Sequence, residues 1–131
     1  VNATSIDDSI KAYIVWTQCL AAQAKYHEQV STSLQVLKEL GENVSSKPGS
    51  FRTRLVFDRT QKKLETKTDE EILALPLMQN KHKIAAVQLL SEMMMTVDNL
   101  EMHNLTSILI CRMTELTFEY GLAPYSALGF A

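Results

Sequence analysis

The stretch SIDDSIKAYIVWTQCLAAQAKYHEQVSTSLQVLKELG, Ser5 to Gly41, decides the fold class. Ile6, Ile10, Tyr13, Ile14, Thr17, Leu20 and Ala24 recur at spacings of three and four, which makes one apolar stripe on a helix from about Ile6 to Lys25. Ser5 stands where an N-cap belongs, with Asp7 and Asp8 against the positive end of the helix dipole. A second helix from about His27 to Leu40 carries Val30, Leu34, Leu37 and Leu40 on one face, and Gly41 follows as a left-handed stop. So short a connection forces the two helices into an antiparallel hairpin.

The same punctuation continues outward. Glu42 to Ser50, with Ser45, Ser46, Pro48 and Gly49, reads as a loop. A third helix from about Ser50 to Leu64 is expected to face Phe51, Leu55 and one of Val56 or Phe57 inward, leaving Arg52, Arg54, Arg59, Lys62 and Lys63 on its polar face. Thr68 before Asp69, Glu70 and Glu71 opens a short turn of helix that Pro76 breaks. A fourth full helix over about Lys81 to Val97 turns Ile84, Val87, Leu90, Met94 and Val97 inward. A fifth, about Leu100 to Tyr120, carries Leu105, Ile108, Leu109, Arg112, Leu116 and Phe118, and Gly121 stops it. Pro124 opens a further helix that the chain barely begins. That ending, with Val1 at the front, reads as the cuts of an excised fragment: residues 1–131 form a single helical domain taken from a longer chain. No stretch alternates at period two, so strands are not expected.

Composition narrows the function. Thirteen basic against fifteen acidic residues give a net charge of −2, so there is no basic field to attract nucleic acid. No apolar run is long enough to insert in a membrane. Cys19 and Cys111 sit in apolar helical stretches and read as buried thiols rather than a disulfide, which favours the cytoplasm. Three Asn-x-Ser/Thr triplets, at Asn2, Asn43 and Asn104, are short enough to arise by chance.

The usual catalytic and cofactor motifs are missing: no phosphate-cradling glycine loop, no His-Glu-x-x-His, no Cys-x-x-Cys, no Gly-x-Ser-x-Gly. No catalytic, metal-binding or cofactor-binding residue is therefore assigned. His27, His82 and His103 each lie near a helix start and read as surface residues. Asp69, Glu70 and Glu71 read as helix-start charge rather than an acid–base pair. Met93-Met94-Met95 spans three helix faces, so only part of it can be core. Trp16 reads as half-buried, next to the stripe residue Tyr13. An enzyme would need a polar constellation inside the bundle; Arg112 beside the apolar face of the fifth helix, with Glu115, is the only hint of one, and a salt-bridged pair on the helix surface accounts for it more simply.

Two resemblances sharpen this. The first hairpin resembles a tetratricopeptide unit: Tyr13, Trp16, Thr17 and Leu20 fit its first helix, and Tyr26, Val30, Val36 and Leu37 its second. Gln29 and Ser33 depart from it, standing where that pattern prefers Ala and an aromatic residue. Tyr120-Gly121-Leu122-Ala123-Pro124-Tyr125-Ser126-Ala127 resembles the hairpin turn again. Three stretches are also similar to the helical segment of large signalling proteins that join a serine/threonine-kinase-like domain, an AAA/STAND-type ATPase and a sensor histidine kinase. They are Leu37-Lys38-Glu39-Leu40-Gly41-Glu42-Asn43-Val44 with Lys47-Pro48; Glu71-Ile72-Leu73-Ala74-Leu75-Pro76-Leu77-Met78 with Lys83-Ile84-Ala85-Ala86-Val87-Gln88-Leu89-Leu90; and Met113-Thr114-Glu115-Leu116-Thr117-Phe118-Glu119-Tyr120-Gly121 with Pro124, Ser126, Ala127 and Ala131. Leu122-Ala123 departs from the more polar pair expected after the glycine.

The resemblance implies an all-α array of antiparallel hairpins, about five to six helices stacked as a degenerate tetratricopeptide-like superhelix. It implies a non-catalytic scaffold or coupling segment inside a signalling ATPase/kinase, whose catalytic motifs lie elsewhere. Its partners would be protein: neighbouring domains, a peptide, or a second copy through exposed apolar helix ends. The alternative class is a free-standing helical-bundle adaptor or small-ligand sensor.

Overall fold

The first hairpin forms as the stripe requires. In the computed structural model, which describes the backbone of residues 3–123 and side chains from residue 9, α1 (Ala3–Ala22) is followed by α2 (Tyr26–Glu39). Ile10, Ile14, Thr17 and Leu20 of α1 are buried, whereas Tyr13 is 43 % exposed and Ala24 lies outside the helix. Ser5 is already inside α1 and is not its cap. The turn is a Schellman motif with alanine in the left-handed position: Ala24 has φ 59°, Ala24 N–H donates to the Ala21 carbonyl, and Lys25 N–H to that of Leu20.

Four more helices follow among the described residues: α3 (Ser50–Glu65), α4 (Asp69–Leu73), α5 (Lys81–Asn99) and α6 (His103–Tyr120). The α5–α6 turn repeats the α1–α2 turn. Glu101 takes φ 58°, and Glu101 and Met102 N–H groups donate to the Asp98 and Val97 carbonyls. The residue opening the second helix has φ −90°, ψ 65° at Lys25 and φ −87°, ψ 66° at Met102. Two helical hairpins are thus joined by the same backbone turn, each with a non-glycine residue held left-handed.

The hairpins pack through α2 against α5, with α1 also touching α5, and α3 lies on the far side of α6. The fully buried layer is aliphatic: Leu37 from α2, Leu89, Leu90 and Met93 from α5, and Leu105, Leu109 and Leu116 from α6. Gln29 and Ser33, the two departures from the repeat pattern, are buried on α2. Gln29 Oε1 accepts a 2.8 Å hydrogen bond from the Thr96 hydroxyl of α5, a polar link inside the seam between the hairpins. Of the three consecutive methionines, Met93 is fully buried, Met94 partly, and Met95 is 74 % exposed.

α3 meets its expected orientation only in part: Val56 turns inward and Arg52, Arg54, Arg59, Lys62 and Lys63 stay exposed, but the rest of its apolar face does not pack. Its inward residues are Thr53, Val56 and Thr60, while Phe51 (79 % exposed), Leu55 and Phe57 face outward. The cause is its partner. Pro48 and Ser50 hold the start of α3 through Asn104 Nδ2 of α6, and small threonines let the two helix backbones approach. Thr53 Oγ1 satisfies itself on the Gly49 carbonyl, 2.8 Å away.

α4 opens with a capping box between Thr68 and Glu71, and the chain after Pro76 runs beside the exit of α6. Leu122 N–H donates to the Pro76 carbonyl and Met78 N–H to that of Leu122, a single parallel bridge rather than a strand. Gly121 is required there: its φ is 105°, and a Cβ would fall on the Pro76 carbonyl oxygen. The helix expected from Pro124 onward lies outside the described residues.

Candidate functional site

The Schellman motif that ends α2 also buries a carboxylate, that of Glu42. Gly41 takes φ 89°, and the N–H of the next residue, Glu42, turns back to the Leu37 carbonyl at 2.8 Å. That backbone bond aims the Glu42 carboxylate into the body of the fold, where it is 1 % exposed. A buried carboxylate is stable only when paired and hydrogen-bonded. Here Lys83 Nζ donates to Oε1 at 2.6 Å, and Arg112 binds Oε2 through its guanidinium at 2.5 Å.

Each cation is positioned from a different element. Lys83 sits in the first turn of α5, where Asn80 caps the helix by accepting from the His82 and Lys83 N–H groups. Its ammonium lies 5.2 Å from the centre of the Tyr120 ring, a cation–π contact at the end of α6. Arg112 projects from the middle of α6 and also donates to Glu115 Oε2 at 3.1 Å, one turn along. Arg59 of α3 reaches Glu115 Oε1 from the other side at 3.5 Å. The chain Lys83–Glu42–Arg112–Glu115–Arg59 therefore crosses α5, the loop after α2, α6 and α3.

The Arg112–Glu115 pair singled out from the sequence is present, but it is not an ion pair of the open helix surface. The Arg112 side chain is 31 % exposed and that of Glu115 15 %, and the pair is the middle of the network. Glu42 and Lys83 were not legible as members, since they lie 41 residues apart and Arg112 is 70 from Glu42. The one available signal was an acidic residue directly after a helix-ending glycine, a position the Schellman motif folds back over the helix.

Beside the network lies an open groove of about 400 Å³ between α3, α6 and the loop after α2. Val56 and Ile108 supply apolar wall, and Arg52, Arg59 and Arg112 point positive charge into it. A second, more apolar cleft of about 330 Å³ lies between α1 and α5, lined in part by Ile10, Ile14, Ile84 and Ala85.

The remaining candidates stay apart. His27, His82 and His103 are exposed at the starts of α2, α5 and α6. Among the described residues no group of three His, Cys, Asp or Glu side chains could hold a metal ion. Glu71 is committed to the capping box of α4. Cys111 is buried, whereas Cys19 is exposed on the outer face of α1, against expectation. Trp16, on the same face, is 53 % exposed. No helix among the described residues is long and apolar enough to cross a membrane. No protein-family model matches the chain, and neither curated proteins nor solved structures give a significant match.

Proposed function

We propose that this protein is a non-catalytic helical scaffold that couples protein partners or neighbouring domains, built on tetratricopeptide-like hairpins. The observation that carries this reading is the ion network itself. Its carboxylates and guanidinium groups are committed to one another across four elements, an arrangement suited to locking helices together rather than to turning over a substrate. The repeated turn of the α1–α2 and α5–α6 hairpins, and their packing through α2 and α5, support stacked repeat units with α3 and α4 inserted between them. Both outer helices of the stack present apolar residues to solvent: Val15 and Trp16 on α1, Phe51 and Leu55 on α3. Exposed aromatic residues on a scaffold are natural contact points.

The test is photo-crosslinking in the source cells, with a photoreactive amino acid replacing Trp16 or Phe51 and a control replacing exposed Gln61. The same protein, or the same flanking segment of the parent chain, should crosslink repeatedly from Trp16 or Phe51 and not from Gln61. No crosslink above the control at either position sinks the scaffold reading. The cleft between α1 and α5 favours one alternative, a sensor for a small apolar ligand. Bulky replacement of Ala85 by Phe would then abolish signalling while leaving the crosslinks intact.

A further inference from the structure

We propose that the outward face of α3, with the groove it shares with α6, docks an acidic, leucine-bearing helical segment of a partner protein. This rests on the scaffold reading and adds the chemistry of the partner. Phe51 and Leu55 lie one helical turn apart and are 79 % and 55 % exposed, so they form an apolar ridge with nothing of the described residues on it. Around that ridge α3 carries Arg52, Arg54, Arg59, Lys62 and Lys63 against Asp58 and Glu65, a local excess of cations in a chain whose net charge is −2.

Little of that positive charge is used internally. Arg52 and Lys62 make no ion pair among the described residues. Arg54 meets Asp58 at 3.8 Å with both side chains mostly in water, a pair easily exchanged for another carboxylate. In the groove, Arg52, Arg59 and Arg112 face only Glu42 and Glu115, and Glu42 is shared with Lys83, so positive charge is in excess there.

An amphipathic helix fits this surface by the helix-in-groove mode. Its leucines would cover Phe51 and Leu55 while glutamate or aspartate residues one turn away meet Arg52, Arg59 and Lys62. The inner face of α3 is already held on α6 through Thr53, Val56 and Thr60, so docking needs no refolding. An anionic membrane fits less well. Arg52, Arg59 and Arg112 line a concave groove, and the acidic Asp69, Glu70 and Glu71 of α4 lie a few residues further along the chain.

The probe is a fluorescein-labelled amphipathic peptide of Glu, Leu and Ala, read by fluorescence anisotropy against the same peptide with Gln for Glu. The Glu peptide should bind, and the Gln peptide should bind on the order of ten-fold more weakly. Arg52→Glu with Lys62→Glu should weaken the Glu peptide on the order of ten-fold, as should Phe51→Ser, and raised salt should weaken it further. All three residues are exposed, and circular dichroism melts confirm that each variant folds. Equal binding of the two peptides, or no effect of the variants, overturns the proposal. So does co-sedimentation with phosphatidylserine vesicles in the absence of peptide binding, or displacement of the peptide by millimolar inorganic phosphate as readily as by unlabelled peptide. Crosslinking from Phe51 without peptide binding overturns the acidic chemistry and leaves the scaffold reading standing. Loss of all crosslinking overturns the scaffold reading instead.

Discussion

Replacing Glu42 by Gln keeps the shape of the side chain and removes the one buried anion that both Lys83 and Arg112 address. Taking one partner from a buried ion pair costs roughly 3–5 kcal/mol, because the remaining charge is left without compensation. Two features lower that figure here. Arg112 keeps Glu115, and its side chain is already 31 % exposed. Lys83 keeps the Tyr120 ring and can extend its ammonium toward water. The amide oxygen of Gln also retains one acceptor. About 2–3 kcal/mol is therefore expected, which for a chain of this length lowers Tm by about 7–11 °C. Thermal melts followed by circular dichroism measure it. Lys83→Met and the double variant should complete a cycle with a coupling energy above about 1 kcal/mol. A Glu42→Gln shift under about 2 °C, or a coupling energy near zero, would refute the claim that the network holds α5 and α6 to the loop after α2.

Five further substitutions probe the rest of the fold by the same melts. Gly121→Ala should cost more than about 3 kcal/mol, since φ 105° is strained for alanine and the new Cβ meets the Pro76 carbonyl; Gly41→Ala, also at positive φ but with open space around it, should cost only about 1–2 kcal/mol. Thr96→Val removes the donor to buried Gln29 and should cost about 1–3 kcal/mol, with faster amide exchange in both α2 and α5. Leu109→Ala, fully buried on α6, should cost about 2–5 kcal/mol. Thr68→Ala should cost about 1 kcal/mol or less in global stability, while exposing the backbone of α4 to exchange as the capping box is lost.

Much of the fold was legible because its punctuation is local. Gly41, Gly121, Pro76 and the Thr68–Glu71 capping box each act within a few residues, and helices start and stop around them as their chemistry requires. The two hairpin turns were less legible, since Ala24 and Glu101 hold left-handed conformations that sequence reading assigns to glycine. α3 was legible only in part, for a different reason. Counting apolar residues puts Phe51 and Leu55 inside, but its close approach to α6 is made by threonines, which polarity alone does not mark as core. The Arg112–Glu115 pair was visible from its spacing along one helix. Glu42 was not, because only the tertiary fold brings its partners to it.

Under the scaffold reading, the polar contacts fix what the apolar ones leave free. Leucine, valine and methionine side chains along α2, α5 and α6 can repack with modest loss if volume is conserved, so an aliphatic seam sets proximity better than register. Gln29–Thr96 and the Glu42 network are directional: a displacement of α5 along α2 breaks the first, and one of α6 relative to the loop after α2 breaks the second. Arg59 then ties α3 to the same network through Glu115. A partner that draws Arg59 into its own carboxylate weakens Arg59–Glu115, and frees Glu115 to compete more strongly for Arg112. Docking on α3 would in this way be felt at Glu42, and through it at the end of α2 and the start of α5. Backbone amide exchange at residues 40–44 and 80–84 should therefore change when the Glu peptide binds α3. In Glu115→Gln the peptide should still bind and that change should vanish; its persistence there would refute a route through the network.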